Sequence, residues 1–353
     1  MPSRIRRTGA FKHSTRRRGR VALALLLAFA AAALSGCESL MVMTGARMRL
    51  DGVPLQSMSA TLPGSGGLAP GGSARLAIVA TTTDGRTLAT VGTGDGKVLG
   101  DSYVFEASVV TVDEDGVVRL PDDPRLTEGR TPHVHLHAAG QATPVADIDI
   151  PIRYDVPYAA TYAGADGTNG FDGSPGMDGS PGNMGSFDPD NPSAGGDGGN
   201  GGDGGGGDNG GDGSPGPDVH VTIALAPGSA DAHPLLRVRV SASGHDRFFI
   251  VDPDGGSLAL NVSGGAAGRA GSGGRGGSGG SGGAGMPPGM SGLSGHNGLD
   301  GRAGQAGGAG SVTMAVEPAA ARYLDRFHVK NTNGDGLPGP PPTVMVAPVA
   351  SPW

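Results

Sequence analysis

The chain has 353 residues, of which 69 are glycine and only 4% are aromatic, so any hydrophobic core is small and built from aliphatic side chains. Its single cysteine excludes an intrachain disulfide. The 26 basic and 33 acidic residues give a formal net charge of −7, which argues against nucleic acid or an anionic lipid surface as a partner.

The first 36 residues predict a secretory signal. Eight basic residues and no acidic ones lie within 1–20, and an apolar run from Val21 to Leu34 follows. Such a run is too short to span a bilayer comfortably, whereas a basic segment, a short apolar segment and small residues are typical of an export signal. Its removal leaves 18 basic against 33 acidic residues, a net charge of −15.

The signal ends in Leu34-Ser35-Gly36-Cys37, which resembles the lipobox of bacterial lipoproteins. The resemblance implies cleavage before Cys37 and acylation of that cysteine, with several acyl chains as stable anchoring requires. An ordinary signal with a chance cysteine is the alternative. Glu38 follows, and by the same resemblance a residue other than Asp there permits transport to the outer membrane of a Gram-negative bacterium. We therefore expect a lipid-anchored protein of the cell envelope.

Residues 37–60 are expected to form a tether and a first strand, and 61–157 a β-sandwich. Apolar and polar residues alternate in 74–80, 109–112, 133–137 and 145–152, with turn signals such as Asp84-Gly85 between them. The order of a Pro70-Gly71 turn, the Asp84-Gly85 hairpin and the strand around Val112–Val118 resembles bacterial immunoglobulin-like domains. That resemblance covers about 90 residues. The spacing of the strand and turn patterns by itself predicts a β-sandwich of about seven short strands.

Glycine recurs at every third residue in four segments, named here arm A (164–187), arm B (195–218), arm C (265–285) and arm D (289–312). This period is the signature of an extended helix with three residues per turn, one face of which is bare enough for close backbone approach. The arms contain 24, 24, 21 and 24 residues, and short Pro-containing breaks join A to B and C to D.

Three arrangements of the arms are open at this stage. A polyglycine-II bundle packs such helices side by side, a collagen-like trimer winds three chains together, and a disordered linker has no fixed contacts. Proline is scarce and glycine often occupies a second place in the triplet, which disfavours collagen because extra glycine costs entropy. Nearly equal arms joined by turns favour an antiparallel bundle within one chain.

The remaining segments predict a second small β-domain. Strand patterns occur at 219–225, 235–240, 248–251 and 257–262, then at 312–316 and 343–346, with a short helix expected at 318–326. We expect 158–218 to be one glycine-rich arm pair, 219–263 strands of the second domain, 264–312 a second arm pair inserted in it, and 313–353 its last strands and a Pro-rich tail. The order of strands, arms, 325–329 and 333–336 resembles uncharacterised glycine-rich bacterial lipoproteins, a kinship that implies no activity.

Three histidines are the strongest candidates for chemistry. His133, His135 and His137 alternate with Val134 and Leu136, so on a strand all three side chains point the same way. Such a row, near Asp147 and Asp149 of an expected neighbouring strand, can hold Zn²⁺ or Cu²⁺ without catalysing a reaction. The alternative is a polar strand face over inward Val134 and Leu136.

No set of nucleophile, base and acid emerges, so the sequence predicts neither an enzyme nor a cofactor. The expected function is structural or adhesive, in a membrane-anchored, non-catalytic lipoprotein. A surface module that binds metal or polysaccharide is the alternative, and envelope polysaccharide or protein is the expected contact besides the membrane. The sequence leaves the oligomeric state open.

Overall fold

The structure, a computed structural model, describes residues 41–64, 66–227 and 233–353, so the predicted signal and Cys37 lie outside the described residues. The described chain is mainly β and divides into two compact units, one ending at Ile152 and the other running from Arg153 to Trp353, with Asp123–Arg125 grouped with the second. Among the described residues, no helix has the length and apolar character that crossing a membrane requires.

The first unit contains nine strands and two single 3₁₀ turns, Gly100–Ser102 and Pro124–Leu126. The strands are β1 (Leu55–Thr61), β2 (Ser73–Arg75), β3 (Ala77–Thr82), β4 (Thr87–Ala89), β5 (Tyr103–Ser108), β6 (Thr111–Val112), β7 (Val117–Arg119), β8 (His133–Ala138) and β9 (Val145–Asp149). They form three antiparallel sheets in the orders β1-β3-β4, β2-β7-β6 and β5-β8-β9. Their inward residues, among them Ile78, Val118 and Leu136, share one buried core.

Two expected strands of this unit are broken where the chain changes sheet. Residues 74–80 form β2 and β3 in different sheets, and Leu76 between them is buried and donates its amide to Gly116. Within 109–112 only Thr111 and Val112 are strand, because Val109 has φ of +69°. A β-branched residue rarely adopts that conformation, and here it turns the chain from β5 into the neighbouring sheet.

The second unit contains eight strands and a 3₁₀ helix at Pro318–Arg326, where a short helix was expected. The strands are β10 (Pro157–Thr161), β11 (Val219–Leu225), β12 (Leu236–Ala242), β13 (His245–Val251), β14 (Ser257–Asn261), β15 (Val312–Val316), β16 (Phe327–Lys330) and β17 (Thr343–Val346). A parallel sheet has the order β10-β14-β16, and a mixed sheet the order β13-β12-β11-β15-β17. Both contribute to one core, for example Leu258 from the first and Val240 and Met314 from the second.

The four glycine arms connect these two sheets. Arm A follows β10 and arm C follows β14, while arm B precedes β11 and arm D precedes β15. Strand pairing already fixes the register: Pro157 pairs with Ser257, an offset of 100, and Val219 with Val312, an offset of 93. Because β10 pairs with β14, the first arm pair lies in the second unit. The division therefore falls at residue 152, where 157 was expected.

Backbone hydrogen bonds join the arms into a bundle within the chain. First-position glycine amides of arm A donate to arm C, as Gly173 does to Ser272 at 2.8 Å, and those of arm B donate to arm D, as Gly204 does to His296 at 2.9 Å. Arm B also donates to arm A, arm C to arm B and arm D to arm C, each time between antiparallel arms. Among the three arrangements left open by the sequence, this is the polyglycine-II pattern.

Glycine is required at the first positions of the arms, where the backbones approach each other most closely. A Cβ built on Gly268 would overlap the carbonyl oxygen of Thr168, and one on Gly204 would overlap that of Gly274. In arm C the first-position glycines are buried throughout, so this arm and arm B form the centre of the bundle, with arms A and D outside.

Candidate functional site

The expected histidine face lies on β8, paired with β9. His133 lies opposite Asp149 and His135 opposite Asp147. The Nδ1 atom of His133 is 2.8 Å from Asp149 Oδ1 and its Nε2 atom 3.1 Å from Asp147 Oδ1, while the Nδ1 atom of His135 is 2.8 Å from Asp147 Oδ1. The four side chains form a continuous ladder of ring nitrogens and carboxylates, as the alternation of the two strands predicts.

This ladder has a defined electrostatic character. The hydrogen bond with Asp149, assisted by Asp147, raises the pKa of His133 above its ordinary value. In the other direction, the hydrogen bonds from His135 and then His133 lower the pKa of Asp147. Protonated imidazole and ionised carboxylate therefore stabilise each other on this face.

His137 does not join the ladder, since its Nδ1 atom lies 3.0 Å from the carbonyl oxygen of its neighbour Ala138. Within the described parts of the chain, no group of three or more His, Cys, Asp or Glu side chains is arranged to hold a metal ion. Both ring nitrogens of His133 and the Nδ1 atom of His135 are instead engaged by carboxylates. Metal or polysaccharide binding by His133, His135 and His137 stays a prediction that this geometry does not strengthen.

The bundle displays a second and larger candidate surface. Its backbone hydrogen bonds define which side chains lie on the same face. Second-position carbonyls of arms A and D accept amides of arm B, as Met177 does from Gly202 and Leu293 from Gly201. The second positions of arms A and D therefore flank arm B. We name the B face the surface formed by these rows together with the second and third positions of arm B.

Carboxylate and amide side chains fasten the B face. Third-position Asp and Asn oxygens of arm B accept second-position amides of arm D, and the donor lies 93 residues further along the chain in every case. The acceptors are Asp197, Asn200, Asp203, Asn209 and Asp212. The hydrogen bond from the amide of His296, with a further one from its ring, lowers the pKa of Asp203.

The B face also exposes large apolar side chains. Phe171 and Met177 of arm A are 79% and 83% exposed, and Leu293 and Leu299 of arm D are 74% and 83% exposed. The position of these four side chains on one face makes it a candidate contact surface. The sequence alone did not reveal this face. Which arm lies beside a given side chain is set by the hydrogen bonds between the backbones of the four arms.

The opposite surface, the C face, has a different character. It carries the third positions of arms A and D and the second positions of arm C, again fastened by side-chain oxygens such as Asp172 Oδ1, which accepts the amide of Ser272. Asn297 and Asp300 of arm D accept the amides of Gly276 and Gly273. Its second-position row on arm C consists of alanine, serine and arginine, so the two broad sides of the bundle differ in polarity.

Comparisons with known proteins do not assign a family. No family model matches the chain, and no curated protein matches it. One matching solved structure is titled "Crystal structure of the S-layer protein rSbsC(31-844)"; it is 13% identical and has a TM-score of 0.20. The match covers 57% of this chain and 28% of that chain, and a TM-score this low supports no inference about fold or function.

Proposed function

We propose that this chain is a lipid-anchored, non-catalytic structural protein of the bacterial cell envelope, in the outer membrane of a Gram-negative organism. The anchor would be Cys37, as the lipobox-like segment implies. The four-arm bundle would be the rigid element that presents side chains to other envelope components.

The observation that carries the structural part of the proposal is the backbone pairing of the arms. Each pair of neighbouring arms is joined every third residue by hydrogen bonds near 2.8 Å, so no long segment of the bundle depends on side-chain packing alone. At about 3.1 Å per residue, a 24-residue arm extends about 75 Å. Strand register continues into the arms without a flexible joint, since offsets of 100 and 93 hold in both strands and arms. Such a construction favours a mechanical role.

We further infer that the first unit is an immunoglobulin-like sandwich. The support is its three small antiparallel sheets around one core, together with the Pro-Gly and Asp-Gly turns that resemble that family. In envelope proteins such a module would act as a spacer between the lipid anchor and the second unit.

Anchoring is tested by Cys37→Ser in the full-length chain, expressed with its own signal and labelled with a palmitate analogue. We expect loss of the label and release from the membrane fraction, because the thiol is the acylated group. Ser39→Ala, two residues away, is the matched control and should keep both. Labelled, membrane-bound Cys37→Ser protein would contradict the proposal. Glu38→Asp tests the location: the resemblance predicts a move from the outer to the inner membrane.

The structural role is tested in the producing cell with two neighbouring substitutions. A Cβ on Gly307 would overlap the carbonyl oxygen of Ser214, whereas one on Gly308 meets nothing within 4 Å. Cells with Gly307→Asp as their only copy should become sensitive to detergent, and cells with Gly308→Asp should not. Equal resistance of both, with the Gly307→Asp bundle shown to be disordered, would refute a mechanical role for the bundle.

A further inference from the structure

The B face is locally self-complementary. Its midpoint lies where Gly205 of arm B donates to the carbonyl of Ser174 and where Gly204 donates to that of His296. Counting outward by three residues from Ser174 along arm A gives Phe171 in one direction and Met177 in the other. Symmetry about this level involves four rows of the face: one on arm A, two on arm B and one on arm D.

The four large apolar residues nearest the midpoint obey the symmetry. On arm D, three residues either side of His296 are Leu293 and Leu299, which are the same residue and similarly exposed. On arm A the equivalent pair is Phe171 and Met177, both bulky and apolar. A two-fold axis at this level, in the plane of the face and across the arms, would therefore place apolar on apolar.

The charged residues obey it in a complementary way. In the third-position row of arm B the axis relates Asn200 to Asn209, two amides that can hydrogen bond to each other, and Asp203 to Gly206. In the second-position row it relates Asp208 to Gly202. The carboxylates nearest the midpoint thus face glycines of the second copy and not each other.

Further from the midpoint the like-charged pair Asp197 and Asp212 is offset by a cation. The axis relates Met290 to Arg302, and the amide of Met290 donates to Asp197. Arg302 of a second copy would therefore lie over Met290 beside Asp197, and the same contact would recur on the other side of the axis.

Gly206 supplies an independent observation. Asp203 Oδ1 accepts the amide of His296, but Gly206 has no side chain that could accept the amide of Leu299. The row of side-chain acceptors on arm B is therefore interrupted at Gly206. Its own fold does not require glycine there, because a Cβ would meet only the carbonyl oxygen of Leu299 at 3.7 Å, an ordinary contact. The neighbouring Gly204 and Gly207, by contrast, lie against arm C with no room for a Cβ.

We propose that the B face is a homodimer interface, in which a second copy of this chain packs its own B face against the first about a two-fold axis at Gly204–Gly205. Arm A then lies on arm A of the second copy and arm D on arm D, with their directions reversed. The absent side chain at Gly206 makes room for Asp203 of the second copy. This goes beyond the proposed envelope role and does not depend on acylation of Cys37.

The test is the oligomeric state of the full-length chain carrying Cys37→Ala, purified in detergent and followed by analytical ultracentrifugation over a dilution series. We expect a dimer that dissociates on dilution. Leu299→Asp should weaken it by about 100-fold or more, because two unpaired carboxylates would be buried at once. Ser281→Asp on the C face, level with Pro181 of arm A, is the matched control and should leave the dimer unchanged.

Two further variants keep the test decisive if Leu299→Asp affects folding. Gly206→Gln should leave the hydrogen exchange of the arms unchanged and still weaken the dimer. Ser174→Cys lies next to the axis, so in the Cys37→Ala background it should cross-link two copies under mild oxidation, whereas Ser281→Cys should not. A monomer at all concentrations, or equal cross-linking by both cysteine variants, would overturn the proposal.

Discussion

At two adjacent glycines near the C-terminal end of arm D, the structure predicts opposite effects of the same substitution by alanine. Gly307 is buried, donates its amide to Gly265 at 2.9 Å and accepts that of Gly334 at 2.8 Å. In Gly307→Ala the new methyl group would overlap the carbonyl oxygen of Ser214, which itself accepts the amide of Gly265. To remove this overlap, arm D must move away from arm B. That movement strains the two hydrogen bonds that Gly307 makes, with Gly265 and with Gly334.

The size of the effect follows from those contacts. Forcing a methyl group into a closely packed site costs about 1–3 kcal/mol. Two backbone hydrogen bonds, worth about 1 kcal/mol each, are weakened and not lost, which adds about 1 kcal/mol in total. We expect Gly307→Ala to lower the free energy of unfolding of the bundle by about 2–4 kcal/mol.

Gly308→Ala is the matched control, one residue along the chain. Gly308 is exposed, a Cβ there meets nothing within 4 Å, and its carbonyl bond from the Gly216 amide, at 2.9 Å, is undisturbed. An extended helix of this kind has φ near −75°, which alanine adopts readily. We expect an unchanged or slightly raised stability, by about 0.4–1 kcal/mol, since alanine restricts the unfolded chain.

Hydrogen exchange read by mass spectrometry on peptides covering 301–310 is the assay, because a single melting temperature is poorly defined for a chain of two units. Faster exchange in Gly307→Ala and parental exchange in Gly308→Ala is the expected result. If both variants exchange alike, the arms do not pack as the hydrogen bonds indicate, and the reasoning about close approach fails.

Two further predictions concern hydrogen-bonded side chains, one group within each unit. The raised pKa of His133 means that its contribution to the stability of the first unit is full below about pH 6.5 and is lost as the pH rises through the raised value. The melting temperature of the first unit should therefore fall between mildly acidic and alkaline pH in the parent protein, and fall much less in His133→Gln. An equal fall in both proteins would argue against the ladder. The lowered pKa of Asp147 predicts the opposite pH dependence. Its contribution to the stability of the first unit is lost as the pH falls through the pKa that Asp147 has in the folded protein. In the bundle, Asp212 Oδ1 accepts the amide of Gln305, so Asp212→Ala should speed exchange of that amide while Asp212→Asn keeps it slow; equal exchange in both would show that the side-chain oxygen does not hold the arm.

Much of this architecture could be predicted from the sequence because it depends on local periodicity. Alternation locates β8, β11 and β15 closely, and the adjacency of the histidines to Asp147 and Asp149 follows from two facing strands. The glycine period defines the arms for the same reason. The break at Val109 could not be predicted, because nothing in its composition signals a φ of +69°.

Long-range pairing accounts for what the sequence left hidden. β10 belongs to the second unit only because it pairs with β14 about 100 residues away, and a short pattern such as Pro157–Thr161 carries no sign of its partner. The B face was hidden for the same reason. Phe171 and Leu299 lie on one face only because arms A and D both pack against arm B, which no single arm specifies.

The bundle makes one prediction in which the smaller change does the greater damage. Deleting Gly204–Gly206 removes a whole triplet from arm B, so every first position of arm B, the row that faces arm C, remains a glycine. Only the turn at the end of the arm must adjust. Deleting Gly206 alone shifts that frame by one residue. Between the deletion and the turn, Asp203 then takes the position that Gly204 occupies against the carbonyl of Gly274.

Asn200 and Asp197 would be drawn into the same row by the shift, so the single deletion buries the carboxylates of Asp203 and Asp197 against backbone carbonyls of arm C, where there is no room for a Cβ. Burial of an unpaired charge is among the most costly changes a fold can undergo. We therefore expect fast hydrogen exchange throughout 195–205 in the single deletion and near-parental exchange in the triplet deletion, while 207–218 stays protected in both. Equal protection in the two variants would mean that arm B is not held in a three-residue frame, and the bundle would have to be abandoned in favour of a flexible linker.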